Sequence, residues 1–420
     1  MRITIRFRLP SVLFVTLALP AIPLAAQTSP ESALRRALQT KTGVATLPGG
    51  VIEISREIVL APDAHDLDIR GAATTIKASA AFRGRALLVL QGGKNIKLHD
   101  LSLDGNREAF AEPVAATPGT SVVSRLVANN GLLAEGVNGL EITKVEAKHV
   151  AGFPLLIDGG HDIHIRDVEI AECGSLDAGG HNNGSGGILL EEGVTDFEIV
   201  HALIGDVRGN GIWIRSADAT TKAVRGRIVD SEFAILARAA IEVNHATAIT
   251  IENNTGHMIG FPGDAVLIMG TSVPAAIVTT GAVDHAIIRN NNFEQLAGRC
   301  QTLDGLSDSE VNGNVCTGGL FNGFYVRGTG NRITNNHLTD LNNARREQPE
   351  ALTTGIYLAM GASGNTLEGN EIAGYGMERR CIAGPGLAAN KAAKNACSGG
   401  ASLALLQPGS AARGRPAEQR

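Results

Sequence analysis

Aromatic residues are scarce in this chain: they make up 4% of 420 residues, and Trp213 is the only tryptophan. Phe, Tyr and Trp dominate the energetics of thick globular cores, and the chain is too long for one ordinary core. A stack of thin layers built from Val, Ile, Leu and Ala suits this composition better. Charge of one sign is not in excess either. With 37 Lys and Arg against 42 Asp and Glu, the net charge is -5, which gives no reason to expect nucleic acid or an anionic membrane as partner. The cysteines form no C-x-x-C and accompany no histidine cluster, so a Cys/His metal module is not indicated. Beyond the first 26 residues no apolar run could span a bilayer. The mature chain is therefore expected to be soluble, without membrane insertion.

Those first residues read as a secretory signal. Arg2, Arg6 and Arg8 form a basic start, Leu9 to Leu24 is almost wholly apolar, and Ala25-Ala26 offers a cleavage point before Gln27. Pro10, Pro20 and Pro23 interrupt the apolar stretch, which argues against an anchor. No Cys follows it, and Phe7 splits Arg6 from Arg8, so neither a lipoprotein nor a twin-arginine signal is present. Residues 1–26 are thus a signal peptide, and the protein is expected to be exported, periplasmic or extracellular. In an oxidising compartment the equally spaced pairs Cys300/Cys316 and Cys381/Cys397 could each close a short loop. Cys173 is expected to be a small buried hydrophobe.

What is abundant is self-similarity. An apolar residue is followed by Asn three positions later and an apolar residue two beyond that, as in Ile333/Asn336/Leu338, Leu367/Asn370/Ile372, Val311/Asn314/Cys316 and Ile288/Asn291/Phe293. Ile251/Asn254/Gly256 keeps the frame with a small last slot. Earlier copies vary the middle: Ile228/Ser231/Phe233, Ile199/Ala202/Ile204, Ile165/Val168/Ile170, Ile142/Val145/Ala147 and Leu98/Leu101/Leu103. Between them lie short alternating strands such as Gly187–Leu190, Gly211–Ile214, Ala240–Val243, Ala265–Ile268, Gly323–Val326 and Gly355–Leu358. Neither motif can bury its apolar side alone, and stacked turns bury both in one column. The closest copies lie 22 or 23 residues apart, as from Val311 to Ile333 and from Ile142 to Ile165. That length fits three short strands with their turns. The expected fold is an all-β, right-handed parallel β-helix solenoid. The aligned asparagines are read as a structural ladder, each amide bonding the next along the axis.

The ends fit that reading. Ser29-Pro30-Glu31 starts a helix, and Leu34, Ala37 and Leu38 share one face that would cap the column. The column is expected over residues 27–383, with the repeat lost beyond Met377 and a disordered tail over 384–420.

The Leu47-Pro48-Gly49-Gly50 turn, the Asp68-Ile69-Arg70-Gly71 segment and the Leu101-Ser102-Leu103-Asp104-Gly105-Asn106 run resemble the opening coils of pectin-lyase-like proteins. The resemblance covers about residues 30 to 376 and is specific for fold. It implies an extracytoplasmic protein that handles carbohydrate, in a superfamily of polysaccharide lyases, polygalacturonase-type hydrolases, uronate epimerases and phage tailspikes. The chain departs from the catalytic patterns. It lacks the Asn-Thr-Asp, Asp-Asp, Gly-His-Gly and Arg-Ile-Lys set of polygalacturonases, and the Asp-Pro-His-Glu of alginate epimerases, so no catalytic set carries over.

Strand phase nevertheless aims particular side chains. With Ile212 and Ile214 in the core, Trp213 and Arg215 face outward. The same phase turns out Leu156 and Asp158, Leu189 and Glu191, Glu242 and Asn244, and Leu267 and Met269, with Tyr325 and Tyr357 in the Trp213 file. Aromatic faces can stack on sugar rings, while carboxylates and Arg bond hydroxyls or sugar acids. Asp158, Glu191, Arg215 and Glu242 are the candidate catalytic residues. Coils stack at about 4.8 Å, so these carboxylates could flank a glycosidic bond at roughly the 5 Å or 6.5–9.5 Å needed for hydrolysis. Alternatively Arg215 would neutralise a uronate while a base removes the neighbouring proton. Trp213, Asn244, His181 and Asp264 are the candidate substrate-binding residues. His181 lies in the Gly174–Gly187 insertion, a natural rim for the face; Asp264 precedes a strand. Any single one of these could equally be a solvated surface residue. The expected partner is a polysaccharide or oligosaccharide, bound and processed by a lyase, hydrolase or epimerase. The alternative is a non-catalytic carbohydrate-binding or structural surface protein. No cofactor is called for, with a divalent cation such as calcium left open.

Overall fold

In the computed structural model, residues 29–109, 121–177, 179–182, 184–261 and 273–400 are described. Their strands form one 32-stranded system wound as a right-handed parallel β-helix. A coil consists of three strands. Gly186–Glu191, Thr195–Val200 and Leu203–Val207 make one, and Asn210–Arg215, Ala223–Val229 and Glu232–Leu236 make the next. Each strand pairs in parallel with its equivalent one coil on, so Ile188 sits opposite Ile212, Ile199 opposite Ile228 and Ile204 opposite Phe233. Inward positions stack into one continuous core of Ile, Leu and Val.

The corners show why the chain turns where it does. The residue between the second and third strands of a coil adopts a left-handed backbone at Asp230, Asn253, Asn290, Gly313, Asn335 and Gly369, the residue types that tolerate it best. The next residue is the ladder residue. Asn254 donates its amide N–H to Asn291 at 2.9 Å, and the chain of amides continues through Asn314, Asn336 and Asn370 to Asn395. Each Oδ1 also accepts the backbone N–H of the preceding ladder residue, for example Asn291 N to Asn314 at 3.2 Å. The amides are thus satisfied in a buried corner. A second ladder, invisible to the aligned frame, runs at another corner from Asn331 through Asn365 to Asn390.

Small residues in the repeat are set by their neighbours. The slot at Gly256 lies between Phe233 and Phe293 in register, and a Cβ there would stand 2.9 Å from Phe293. At the N-terminal end Ser29 caps the helix Pro30–Ala37 by accepting from Ser32 N–H at 3.2 Å, and Leu34 and Leu38 are fully buried over the open end of the column.

The column runs further than the apolar repeat shows. Ile382–Ala383, Lys391–Ala393 and Ala396–Ser398 add strands onto the coil before them. Residues 384–400 are therefore not tail, and the repeat does not stop at Met377. Ala392 and Cys397 occupy inward slots held elsewhere by Ile and Leu, which hides the coil from an apolar pattern. The expected signal peptide and residues 401–420 lie outside the described residues, as does Ala265–Ile268. The next strand on that face is Ala275–Asp284, with Ile277 opposite Ile241. Cys300 is bonded to Cys316 and Cys381 to Cys397. Cys173 is buried and unpaired, its thiol pushed up to about 12 by burial. Among the described residues no helix is long and apolar enough to cross a membrane.

Candidate functional site: two halves of one outer face

The first strand of each coil builds the face in question. Its outward file reads, in register from coil to coil, Val89, Leu133, Leu156, Leu189, Trp213, Glu242, Val278, Thr302, Tyr325 and Tyr357. Two residues on in each strand a second file reads Gln91, Glu135, Asp158, Glu191 and Arg215. The phase expected from the sequence is the phase observed. What differs is solvent access.

The N-terminal half is covered. Residues 121–129, with a short 3-10 turn at Val123–Arg125, fold back over the face. Val123 and Val127 pack with Phe153 on Val89, Leu133, Leu156 and Leu189, all buried. Glu191 fixes this cover. Its carboxylate accepts the backbone N–H groups of Val123 at 2.9 Å and Ser124 at 2.6 Å, and pairs with Arg215 at 3.2 Å. The side chains of Glu191 and Arg215 are 0% and 3% exposed. Asp158 takes the Ser124 hydroxyl. Burial pushes the Glu191 carboxyl above its ordinary range against the two N–H bonds and Arg215. Burial does the same to Asp158, reinforced by the charges of Glu135 and Glu192 and opposed by the Ser124 hydroxyl.

The expectation that Leu156, Leu189, Glu191 and Arg215 meet solvent is therefore corrected. They point away from the core, yet they lie under a second layer. Asp158 and Glu191 are one coil apart, as expected, but both are engaged in clamping the cover, so they do not form an open pair flanking a bond. An outward file of Leu133, Leu156 and Leu189 was the available signal, since so much adjacent apolar surface calls for a lid.

The C-terminal half is left open by the described residues, its file half-exposed, and Trp213 marks the border. Its ring packs against the edge of the cover, 6.5 Å from Phe153 between centroids. Its Nε1–H donates to Asn244 Oδ1 at 2.6 Å, and Asn244 bonds the Thr280 hydroxyl in the next coil. Glu242 accepts from the Asn210 amide at 2.8 Å. Farther along, Tyr325 and Tyr357 stack at 5.8 Å between centroids. Arg299 lies over the Tyr325 ring at 4.7 Å. Asp304 beside them is paired with Arg327 at 2.6 Å. The strand phase placed both tyrosines on this file but missed Arg299, the first residue of the strand Arg299–Ser307, which reaches this face although it shares its parity with the buried Gln301.

His181 sits apart, in a loop whose bonds are largely its own. Its backbone N–H donates to Asp177 at 3.0 Å, and its ring stands 3.5 Å from the same carboxylate. That backbone bond is the main cause holding the Asp177 carboxyl below its ordinary range. The loop reaches the beginning of the Asn210–Arg215 strand through Asn182, which lies close to Gly209. Asp264 lies outside the described residues. Trp213, Glu242 and Asn244 are thus brought together on open surface, Asp158, Glu191 and Arg215 beneath the cover, and His181 at the rim.

No protein-family model matches the sequence, and no curated protein matches it. Solved structures do resemble the chain. The Dettilon tailspike protein superposes with a TM-score of 0.54 at 16% identity, over 86% of this chain and 66% of that one. PfbA, a surface adhesin of Streptococcus pneumoniae, gives 0.53 at 12% identity over 84% and 86%. The pre-mature gene product 12 of bacteriophage phi29 gives 0.51 at 17%, over 79% of this chain and 49% of its own, so the chain spans about half of that protein. These likenesses define the class by fold alone: the chain is a right-handed parallel β-helix. At these identities they carry no activity.

Proposed function

We propose that this is an exported β-helix protein that binds an extended saccharide along the open half of its outer face, from Trp213 to Tyr357. The observation carrying this reading is the file itself. An indole, a carboxylate, the isopropyl group of Val278, a hydroxyl and two phenol rings follow one another in register, and successive coils are spaced by about 4.8 Å, comparable with one sugar ring. Half-buried rings offer flat apolar faces, and Glu242, Asn244 and Thr302 offer polar atoms beside them. The clamp at Glu191 closes one end, so the ligand would run from Trp213 toward the C-terminal coils. Two disulfides fit an oxidising compartment, and two similar folds belong to a surface adhesin and a tailspike.

Binding is the better supported activity. Of the expected carboxylates only Glu242 faces the open half, which leaves hydrolysis without a second carboxylate among the chosen residues. A catalytic reading rests on Glu242 as acid or base. The test is calorimetric titration of a panel of neutral and acidic oligosaccharides, with reducing ends and unsaturated products followed in parallel. The expected result is binding that Trp213→Ala weakens without unfolding the column, and no turnover. Turnover lost in Glu242→Gln would establish the catalytic reading. Unaltered binding in Trp213→Ala would move the site elsewhere, first to the His181 rim.

A further inference from the structure

Among the described residues Arg299 is a buried cation without a counter-charge. The residue is 9% exposed, and among the described residues no carboxylate lies within ion-pair distance of it. Its Nε–H donates to the Asn322 side-chain oxygen at 3.0 Å, and Nη1 reaches the Thr302 hydroxyl only at 3.5 Å. The guanidinium otherwise rests on the Tyr325 ring. Its cost is visible in its titration, which burial pulls down to about 10. The contrast with Arg215 on the same face is direct, since Arg215 is equally hidden but pairs with Glu191. The acid groups beside the tyrosine pair are committed or aimed elsewhere. Asp304 holds Arg327 through two bonds, and Glu350 acts on Tyr357. Taking a charge out of water is expensive unless it is paired. A guanidinium also presents a planar fork suited to carboxylate and other oxyanions.

We infer that Arg299 is the receptor for an anionic oxygen group, a carboxylate or a sulfate ester, on the saccharide lying across Thr302, Tyr325 and Tyr357. This rests on the saccharide-binding reading and narrows it to acidic sugars. The stacked Tyr325–Tyr357 pair would hold the ring, and the free edge of the guanidinium would take the acid group.

The test titrates the whole protein with three oligosaccharides of matched length: an oligouronate, a sulfated chain and a neutral homologue. The acidic chains should bind the wild type about tenfold or more tightly than the neutral one, with the advantage shrinking at high salt; which acidic chain leads identifies the anion. Arg299→Gln should erase the advantage, so that in this variant the acidic chains bind no more tightly than the neutral homologue. Should that variant fold poorly, Asn322→Asp supplies the missing carboxylate against the guanidinium and should erase the advantage while a thermal melt stays cooperative. Trp213→Ala should weaken all three ligands alike. Equal wild-type binding of acidic and neutral chains, or an acidic advantage that survives both Arg299→Gln and Asn322→Asp, overturns the inference while saccharide binding stands. Absence of binding by every chain overturns both.

Discussion

Replacing Glu191 with Gln separates a clamp from a catalyst. The side chain is fully buried and holds three donors: two backbone N–H groups from the cover and one from Arg215. Gln keeps the size but removes the charge, and its amide must turn one N–H group toward a donor. Breaking a buried ion pair by removing one partner costs about 3–5 kcal/mol. The cost falls on contacts between the column and residues 121–129, so the cheapest response is release of the cover rather than collapse of the core. Opening should become roughly a hundredfold to several thousandfold more frequent. Hydrogen exchange at the Val123 and Ser124 amides reads this directly, and trypsin cleavage after the exposed Arg125 reads it indirectly. Release would uncover Val89, Leu133, Leu156 and Leu189, so a hydrophobic dye should bind more strongly. Exchange unchanged at both amides would refute the clamp, and loss of saccharide turnover in the same variant would restore Glu191 to chemistry.

Other outcomes follow from the same geometry. Asn314→Ala removes the Oδ1 that accepts both the backbone and the side-chain N–H of Asn291; about 1–3 kcal/mol per orphaned buried donor should lower the melting temperature clearly, and an unchanged melt would refute the ladder. Asp284 is held down to about 2 because Lys222, Thr247 and His285 outweigh its burial. The unfolded chain therefore binds its proton first, and the stability it contributes is present above the ordinary aspartate range and lost as pH falls toward 2; Asp284→Asn should flatten that part of an acid titration. For export, mass spectrometry of the mature protein should find Gln27 at the N-terminus, and an intact Met1 from secretion-competent cells would contradict it.

Much of this architecture could be read from residues alone because a solenoid repeats its instructions. The Ile-x-x-Asn-x-apolar frame specified the corner, the ladder and the inward slots at once, and period-two phase gave the outward files from Leu156 to Asn244 and again at Tyr325 and Tyr357, whereas Leu267 and Met269 lie outside the described residues and Val278 follows Glu242. Three features escaped for physical reasons. The cover comes from the long insertion after the Leu103 coil, and no local period announces that a distant segment will dock on a face. The last coil uses Ala392 and Cys397 where others use Ile and Leu, so its corner asparagine was the better guide than its hydrophobicity. The second ladder begins at Ser309, whose hydroxyl takes the Ala286 N–H, and a serine in that slot breaks an asparagine count. Trp213, Glu242 and Asn244 face outward as the strand phase implies, whereas the burial of Glu191 and Arg215 depended on the cover, and Arg299, at the start of its strand, reaches the face against that phase.

The central claim is that the ligand lies along the open half of one face. The most direct test is a crystal structure of the protein soaked with an acidic hexasaccharide. The account predicts sugar rings in line with the column axis, one against Trp213 and others across Tyr325 and Tyr357, with an acid group on Arg299 and the cover over residues 121–129 still closed. Sugar bound on another face, or in the space vacated by an opened cover, would contradict it.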